Sequence, residues 1–256
     1  MRLTTKLTDC RRRQRWSGKE SMKRRKTKSG KGGAAVRSSD WLGRVLVACE
    51  YSGSVRDAFA ARGWDAWSCD FLPTEKPGNH HQGDVREIIN DGWDILIAHP
   101  TCTYMTNSGV CWLHKSPERW VKLFEAADFF CEMLESKVPH VAVENPVMHK
   151  YAKRLVGVKQ TQVVQPWMYG HMEGKATCLW LKNLPPLVET NNVKTEMMKL
   201  PINQRQRLHY LPPSETRWKE RSKTYDGIAA AMANQWTLAT RPNAEVSDRA
   251  DEDGRS

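Results

Sequence analysis

No run of apolar residues in the chain approaches the roughly 18 needed to cross a bilayer, so no membrane span and no membrane partner are expected. The basic N-terminus has no apolar segment behind it, which excludes a secretory signal of the usual form. The seven cysteines stand singly, at positions 10, 49, 69, 102, 111, 131 and 178, and never as Cys-x-x-Cys. A chain of 256 residues can bury a core without staples, so they read as free thiols in a reducing, cytoplasmic setting. There is no Gly-x-Gly-x-x-Gly fingerprint and no phosphate-binding loop, which disfavours dinucleotide and nucleoside-triphosphate binding. No internal repeat is present. Outside the first 40 residues there is also no net charge. Residues 1–40 hold 14 Lys and Arg against Asp9, Glu20 and Asp40, which accounts for the whole formal charge of +11.

That basic tail is poor in branched aliphatics and is expected to be disordered, because it cannot offset its ordering entropy by burial. Three readings of it compete: a grip on nucleic-acid phosphates, a solvated or targeting extension, or an over-long gene model with Met22 as an internal start. One α/β domain is expected over 41–238, with a polar C-terminal tail over 239–256.

Within the domain, strands and helices alternate. RVLVAC (44–49) reads as a buried strand, followed by a Glu50-Tyr51-Ser52-Gly53 turn and a helix SVRDAFAAR, with Ser54 as a possible N-cap and Gly63 at its end. DAWSC reads as a strand ending at Asp70, and ILIAH (95–99) as one stopping at Pro100. After Pro117 an amphipathic helix is predicted, with Trp120, Leu123, Phe124, Ala127, Cys131 and Leu134 on its apolar face. HVAVE ends at Glu144, where Asn145-Pro146 is expected to break the strand. TQVVQ, CLWL and a helix from near Gly227 complete the pattern. The fold class is α/β, a mostly parallel sheet with helices on both faces.

Open parallel sheets bind ligands beyond the carboxyl ends of their strands. The residues falling there are Glu50, Gly53, Asp70, His99 to Cys102, Glu144 and Asn145. A glycine turn after the first strand lets a cofactor approach the backbone, and an acid ending the second strand suits ribose hydroxyls. A thiol in a strand-end turn is a candidate nucleophile, since sulfur attacks readily near neutral pH. A neighbouring carboxyl can serve as an acid toward a ring nitrogen if its environment allows protonation. Each of these residues also has a structural reading: a tight turn, a core thiol, a helix cap. His99, Cys102, Cys111 and His114 offer a further alternative, since their spacing could suit a zinc ion.

In order and spacing these motifs resemble the DNA (cytosine-5)-methyltransferases, including short phage- and prophage-encoded members without a full target-recognition domain. The resemblance spans roughly 44–238. Tyr51-Ser52-Gly53 matches the family's first-strand turn, Asp70 its acid after strand two, and Gly83-Asp84 its Gly-Asp before the next strand. DILIAHPTC matches the nucleophile turn, VAVENP the Glu-Asn-Val strand end, and Tyr169-Gly170 the turn before a late strand. The resemblance implies a Rossmann-like S-adenosylmethionine-dependent methyltransferase fold over 41–238, with 182–221 as a reduced recognition insertion. It implies Cys102 as nucleophile, Glu144 as the base-holding acid, and a cofactor site including Glu50, Tyr51, Gly53, Asp70, Asp84, His99 and Pro100.

The chain departs from the family at three places. His99 and Thr101 flank Pro100 where glycine and proline are usual. The glycine-rich first turn is reduced. The late Gln-x-Arg-x-Arg becomes Glu173-x-Lys175-x-Thr177, with Asn203-x-Arg205-x-Arg207 as a possible substitute further on. Lys175 is the expected catalytic cation by spacing. Asn145, Arg205, Arg207 and Arg217 are the expected nucleic-acid contacts, to single-stranded DNA or to a base flipped from a duplex. No metal is assigned a role. The expected function is methyl transfer to C5 of cytosine in DNA through a covalent cysteine adduct. The alternatives are the same chemistry on a free pyrimidine nucleotide, RNA or modified base, and a non-catalytic nucleic-acid-binding protein.

Overall fold

A computed structural model of the chain describes residues 41–240. The predicted basic tail (1–40), Cys10 and the residues from 241 onward lie outside the described residues. Seven strands form one sheet: β1 (Arg44–Ala48), β2 (Asp65–Asp70), β3 (His80–Gln82), β4 (Ile95–Ala98), β5 (His140–Pro146), β6 (Gln162–Val164) and β7 (Thr177–Lys182). Their order is β3-β2-β1-β4-β5-β7-β6. The first five strands run parallel, and β7 runs antiparallel to both β5 and β6. With helices on both faces, this is the mostly parallel α/β sheet expected from the sequence.

Period-two alternation divides each strand between two cores. Leu46, Ala48, Leu96, Ala98, Val141 and Val143 face one side, under α2 (Pro117–Leu134) and α3 (Lys150–Val156). Val45, Val47, Ile95, Ile97 and Ala142 face the other, under α1 (Ser54–Ala60). The terminal helix, which completes that second layer, spans Asp226–Thr240 and runs two residues past the predicted domain end. Phe59 and Phe130, one in each core, are fully excluded from solvent. Burial of each contributes about 2–3 kcal/mol.

Three local expectations are corrected. Ser54 does not cap α1. Gly53 holds the cap position in the left-handed region at φ 70°, and the Glu50 carboxylate accepts the Val55 and Arg56 N–H groups at 2.7 and 3.2 Å. On α2 the buried stripe is Leu123, Ala126, Ala127, Phe130, Cys131 and Met133. Phe124 is one helical step off that stripe and is left exposed. Finally, β5 continues through Asn145 and Pro146, because β7 pairs with it there. β4 has already ended opposite Val143, so the strand is one-sided at that point and tolerates proline.

Candidate active site

The parallel register of β4 and β5 sets the centre of the site. Ala98 pairs with Val143, so the next residues, His99 and Glu144, project from the same face. Their side chains meet with Nδ1 of His99 donating to Oε2 of Glu144 at 3.0 Å, and their side-chain exposures are only 9% and 18%. Burial by itself would drive the imidazole down. The hydrogen bond and charge of Glu144, with the charge of Glu50, outweigh it and hold His99 above its ordinary value. The reciprocal holds for the carboxyl. Burial would raise it, but the His99 hydrogen bond, the His99 charge and the Lys175 charge hold it below its ordinary value.

Pro100 turns the chain out of β4, and Cys102 follows in a tight loop. Its carbonyl accepts the N–H groups of Met105 and Thr106 at 3.0 and 3.2 Å. The loop is pinned from the β5 side. Thr106 bridges to Met148, and the His149 N–H donates to the Met105 carbonyl at 2.9 Å. His149 Nδ1 accepts from Ala152 N–H, so Nε2 carries the proton and donates to the Tyr104 carbonyl at 2.9 Å. Asn145, fully buried, ties β5 to the loop through Nδ2 and the Pro100 carbonyl at 3.3 Å, and its Oδ1 has no partner. Burial pushes the Cys102 thiol above its ordinary value and the Glu144 charge adds to this, whereas Lys175 and Arg221 pull the other way. At neutral pH the resting sulfur is therefore a thiol.

Lys175 reaches this cluster from the segment before β7. Its backbone N–H donates to Gln165 Oε1 at 3.0 Å, and Nζ donates to the Arg221 carbonyl at 2.8 Å. Burial lowers its pKa, while the charges of Glu144 and Cys102 work against that. Cys102, Glu144 and Lys175 therefore stand within one electrostatic neighbourhood at the carboxyl edge of the sheet.

Beside them lies a cavity of about 720 Å³. Its walls include Tyr51, Asp70, Asp84 and His99, four of the seven predicted cofactor residues. The other three, Glu50, Gly53 and Pro100, do not line it. Glu50 is consumed in capping α1, Gly53 supplies the positive φ of that cap, and Pro100 is buried with its carbonyl on Asn145. Sequence reasoning missed the apolar walls, Phe71, Leu72, Val85, Tyr104 and Phe129, and the roof. The roof is α7 (Arg217–Ser222), the last of four short helices that follow β7. The others are α4 (Lys194–Met198), α5 (Ile202–Arg205) and α6 (Arg207–Tyr210). Tyr51 donates its hydroxyl to the Lys219 carbonyl and shares a hydrogen bond with Ser222 Oγ, both at 3.1 Å. Trp218 tilts against the Tyr51 ring with centroids 5.8 Å apart, and Lys223 pairs with Glu75 at 2.8 Å.

No protein-family profile matches the chain, and no curated protein sequence matches it. Among solved structures the chain is similar to one described as a DNA modification methyltransferase encoded within a prophage (E. coli). That match has 17% identity and a TM-score of 0.36, over 62% of this chain and 55% of the other. It is also similar to the Entamoeba histolytica methyltransferase EhMeth, at 14% identity and a TM-score of 0.39, over 59% and 57% of the two chains. The matches thus span little more than half the length of those proteins.

The cavity suits a nucleoside-bearing ligand by its own chemistry. Aromatic and aliphatic walls (Phe71, Leu72, Val85, Phe129) would hold a flat ring, and two carboxylates face hydroxyl or amino donors. Asp70 receives one backbone N–H, from Leu72 to Oδ1 at 2.9 Å, and burial raises its pKa. Asp84 is less free: Oδ1 accepts Arg86 N–H and Oδ2 pairs with the Arg86 guanidinium at 3.2 Å, which holds its carboxyl below the usual range. The wall is fixed by a residue the sequence did not single out. Arg56, with 1% of its side chain exposed, bonds through its guanidinium to Ser68, Thr74 and the carbonyls of Lys76 and Pro77, holding the segment between β2 and β3.

The predicted nucleic-acid arginines are engaged within the chain. Arg207 Nε donates to Glu173 at 2.8 Å, Arg217 Nη2 donates to the His209 carbonyl at 3.2 Å, and Arg205 Nη1 lies 2.9 Å from the Met198 sulfur. The zinc alternative is not assembled. His99 is committed to Glu144 and His114 to the Tyr151 hydroxyl, and no group of three or more His, Cys, Asp or Glu among the described residues could hold a metal. No helix among the described residues is long and apolar enough to cross a membrane.

Proposed function

We propose that the chain transfers a methyl group from S-adenosylmethionine to C5 of cytosine in DNA, with Cys102 as nucleophile and Glu144 as the acid facing ring N3. The observation that carries this reading is the convergence of a strand-end thiol, a largely buried carboxylate and a partly buried ammonium beside the nucleoside-sized cavity. When bound, the donor supplies an electrophilic methyl group. Asp70, Tyr51 and the Phe71 side of the cavity hold its nucleoside, with Asp84 free to join if Arg86 lets go. The sulfur of Cys102 adds to C6, and Glu144 stabilises the electron density this moves onto N3. Lys175 offsets negative charge as the thiol ionises. Asn145 positions the nucleophile loop, and Arg205, Arg207 and Arg217 reach phosphates by exchanging their internal bonds.

A second reading is favoured by the segment after β7. Its helices are four to six residues long, and Leu184, Leu187, Met197 and Leu208 fold back into the body. That leaves little to read a duplex, so a free pyrimidine nucleotide, an RNA or an already modified base is the rival acceptor.

Labelled donor, incubated with mixed-sequence DNA, RNA and nucleotides, tests both. Transfer to DNA that vanishes in Cys102→Ala supports the main reading. Transfer confined to nucleotides or RNA selects the second, and transfer that survives Cys102→Ala overturns the assigned nucleophile.

A further inference from the structure

His99 stands where the resembled enzymes usually carry glycine, and a glycine could not reach Glu144. We propose that His99 is a positioning residue for the reaction proposed above. It fixes the Glu144 carboxyl through the Nδ1–H···Oε2 bond and keeps a transferable proton one hydrogen bond from Glu144, the group that faces the base.

The proposal rests on that functional reading, and on three observations of this chain. The β4–β5 register sets the two residues side by side on one face, and the bond is 3.0 Å between two largely buried groups. The second ring nitrogen, Nε2, is buried without a partner, and His99 forms part of the donor-cavity wall. The ring therefore links the cavity to the base-holding acid. Finally, the charged groups acting on it are Glu144 from β5, Glu50 from the turn after β1 and Lys175 from the segment before β7: two carboxylates against one ammonium. Together they outweigh burial and favour the imidazolium.

The proton balance is simple. As the Cys102 sulfur bonds to C6, the C5=C6 electrons move through C4 onto N3. N3 takes a proton from the Glu144 side, and Glu144 takes one from His99 Nδ1, leaving a neutral imidazole. When C5 has accepted the methyl group, the N3 proton returns by the same path. Loss of the C5 proton to water then restores the C5=C6 bond and expels the Cys102 thiolate.

Two measurements test this. The first follows the His99 imidazole by NMR in protein carrying labelled histidine, without substrate, across pH. His99 should titrate above the usual histidine range, and Glu144→Gln should lower it by a pH unit or more. Identical titration in both proteins overturns the proposal. The second measures covalent adduct formation with 5-fluorocytosine in a single-stranded oligonucleotide. The rate follows the product of the thiolate and imidazolium fractions. It should rise with pH and level off where NMR shows His99 losing its proton. His99→Gln keeps an N–H for Glu144 but cannot ionise, so its rate should start lower and keep climbing past pH 9. His99→Ala, checked for intact folding by thermal melting, should be slower than His99→Gln by tenfold or more. A His99→Gln profile that levels off with the wild type overturns the proton-holding role. Failure of the wild type to form an adduct with any pyrimidine, with the NMR coupling intact, overturns the proposed reaction rather than the pairing.

Discussion

The Lys175 ammonium donates to the backbone carbonyl of Arg221 across 2.8 Å, which joins the thiol–carboxylate centre to the C-terminal end of the helix roofing the cavity. Two parts of the site are thus fastened at one atom pair. Lys175 also supplies the largest of the charges that lower the Cys102 thiol, while burial and Glu144 raise it.

Replacing Lys175 with Met should therefore slow adduct formation without disturbing the loop that carries the thiol. With its cation gone, the Cys102 thiol rises further, and at pH 7.5 the thiolate population falls. We expect a loss on the order of tenfold, partly recovered as pH rises, because a one-unit pKa shift changes the thiolate fraction tenfold. Rates measured from pH 7 to pH 9.5 in both proteins check this; an unchanged profile would remove Lys175 from the site's electrostatics.

The roof predicts a donor-binding phenotype. Trp218 is 48% exposed yet lies against Tyr51 on the cavity wall, so a bound nucleoside would cover it. S-adenosylhomocysteine should quench tryptophan fluorescence. Trp218→Ala should abolish most of that signal and weaken binding on the order of tenfold, as expected for loss of one aromatic wall. Tyr51→Phe, which removes the hydroxyl bonds to Lys219 and Ser222, should weaken it by roughly 0.5–1.5 kcal/mol. Titration calorimetry measures both.

Arg56 makes a stability prediction. Arg56→Met keeps the aliphatic stem but removes the guanidinium bonds to Ser68, Thr74 and the carbonyls of Lys76 and Pro77, while Ser68, Thr74 and Lys76 keep other partners. A loss of about 3 kcal/mol in urea denaturation is expected, from four bonds to a buried charged group removed together. Limited proteolysis should then cut between Phe71 and Asn79 first.

The His99–Glu144 pair makes stability depend on pH. His99 is raised in the fold, so its contribution is complete below the ordinary histidine value of 6.5 and is lost as pH rises through the folded value. Glu144 is lowered, so its contribution is complete above the ordinary glutamate value of 4.5 and is lost as pH falls through the folded value. The pair therefore stabilises most between about pH 4.5 and 6.5. The difference in unfolding free energy between wild type and His99→Gln should peak near pH 5.5 and shrink toward pH 9. A difference that does not vary with pH would sink this linkage.

The sheet, and the placement of the candidate site at its carboxyl edge, were legible in the sequence because both are written locally. Buried strands such as ILIA and HVAV are short apolar runs, and the carboxyl ends of strands mark where ligand-facing residues fall. Cys102, Glu144 and Asp70 could be placed at strand ends from position alone, whereas Asp84 was singled out only through the family resemblance. The partnership of His99 with Glu144 could not, because it depends on a register between strands 45 residues apart. Glu50 looked like a ligand residue for the same reason. Only three-dimensional geometry shows its oxygens spent on the Val55 and Arg56 amides. Arg56 was hidden because a charged residue in an amphipathic helix reads as solvated, and no local pattern announces one acceptor waiting in β2 and three in the segment after it. No motif marks His149, and only the neighbouring amide at Ala152 reveals that it is locked in one tautomer beneath the Cys102 loop.

The Tyr51 hydroxyl and the Lys219 carbonyl are 168 residues apart in the chain, yet together they close the cavity. A polypeptide emerging from a ribosome will have exposed the thiol, the carboxylate and most of the donor-facing walls long before residue 217 appears. Until then the cleft has no roof on the Tyr51 side. The roof thus arrives late, within the final sixth of the chain, and a product cut short before Arg217 would also lack the terminal helix that completes the second core layer.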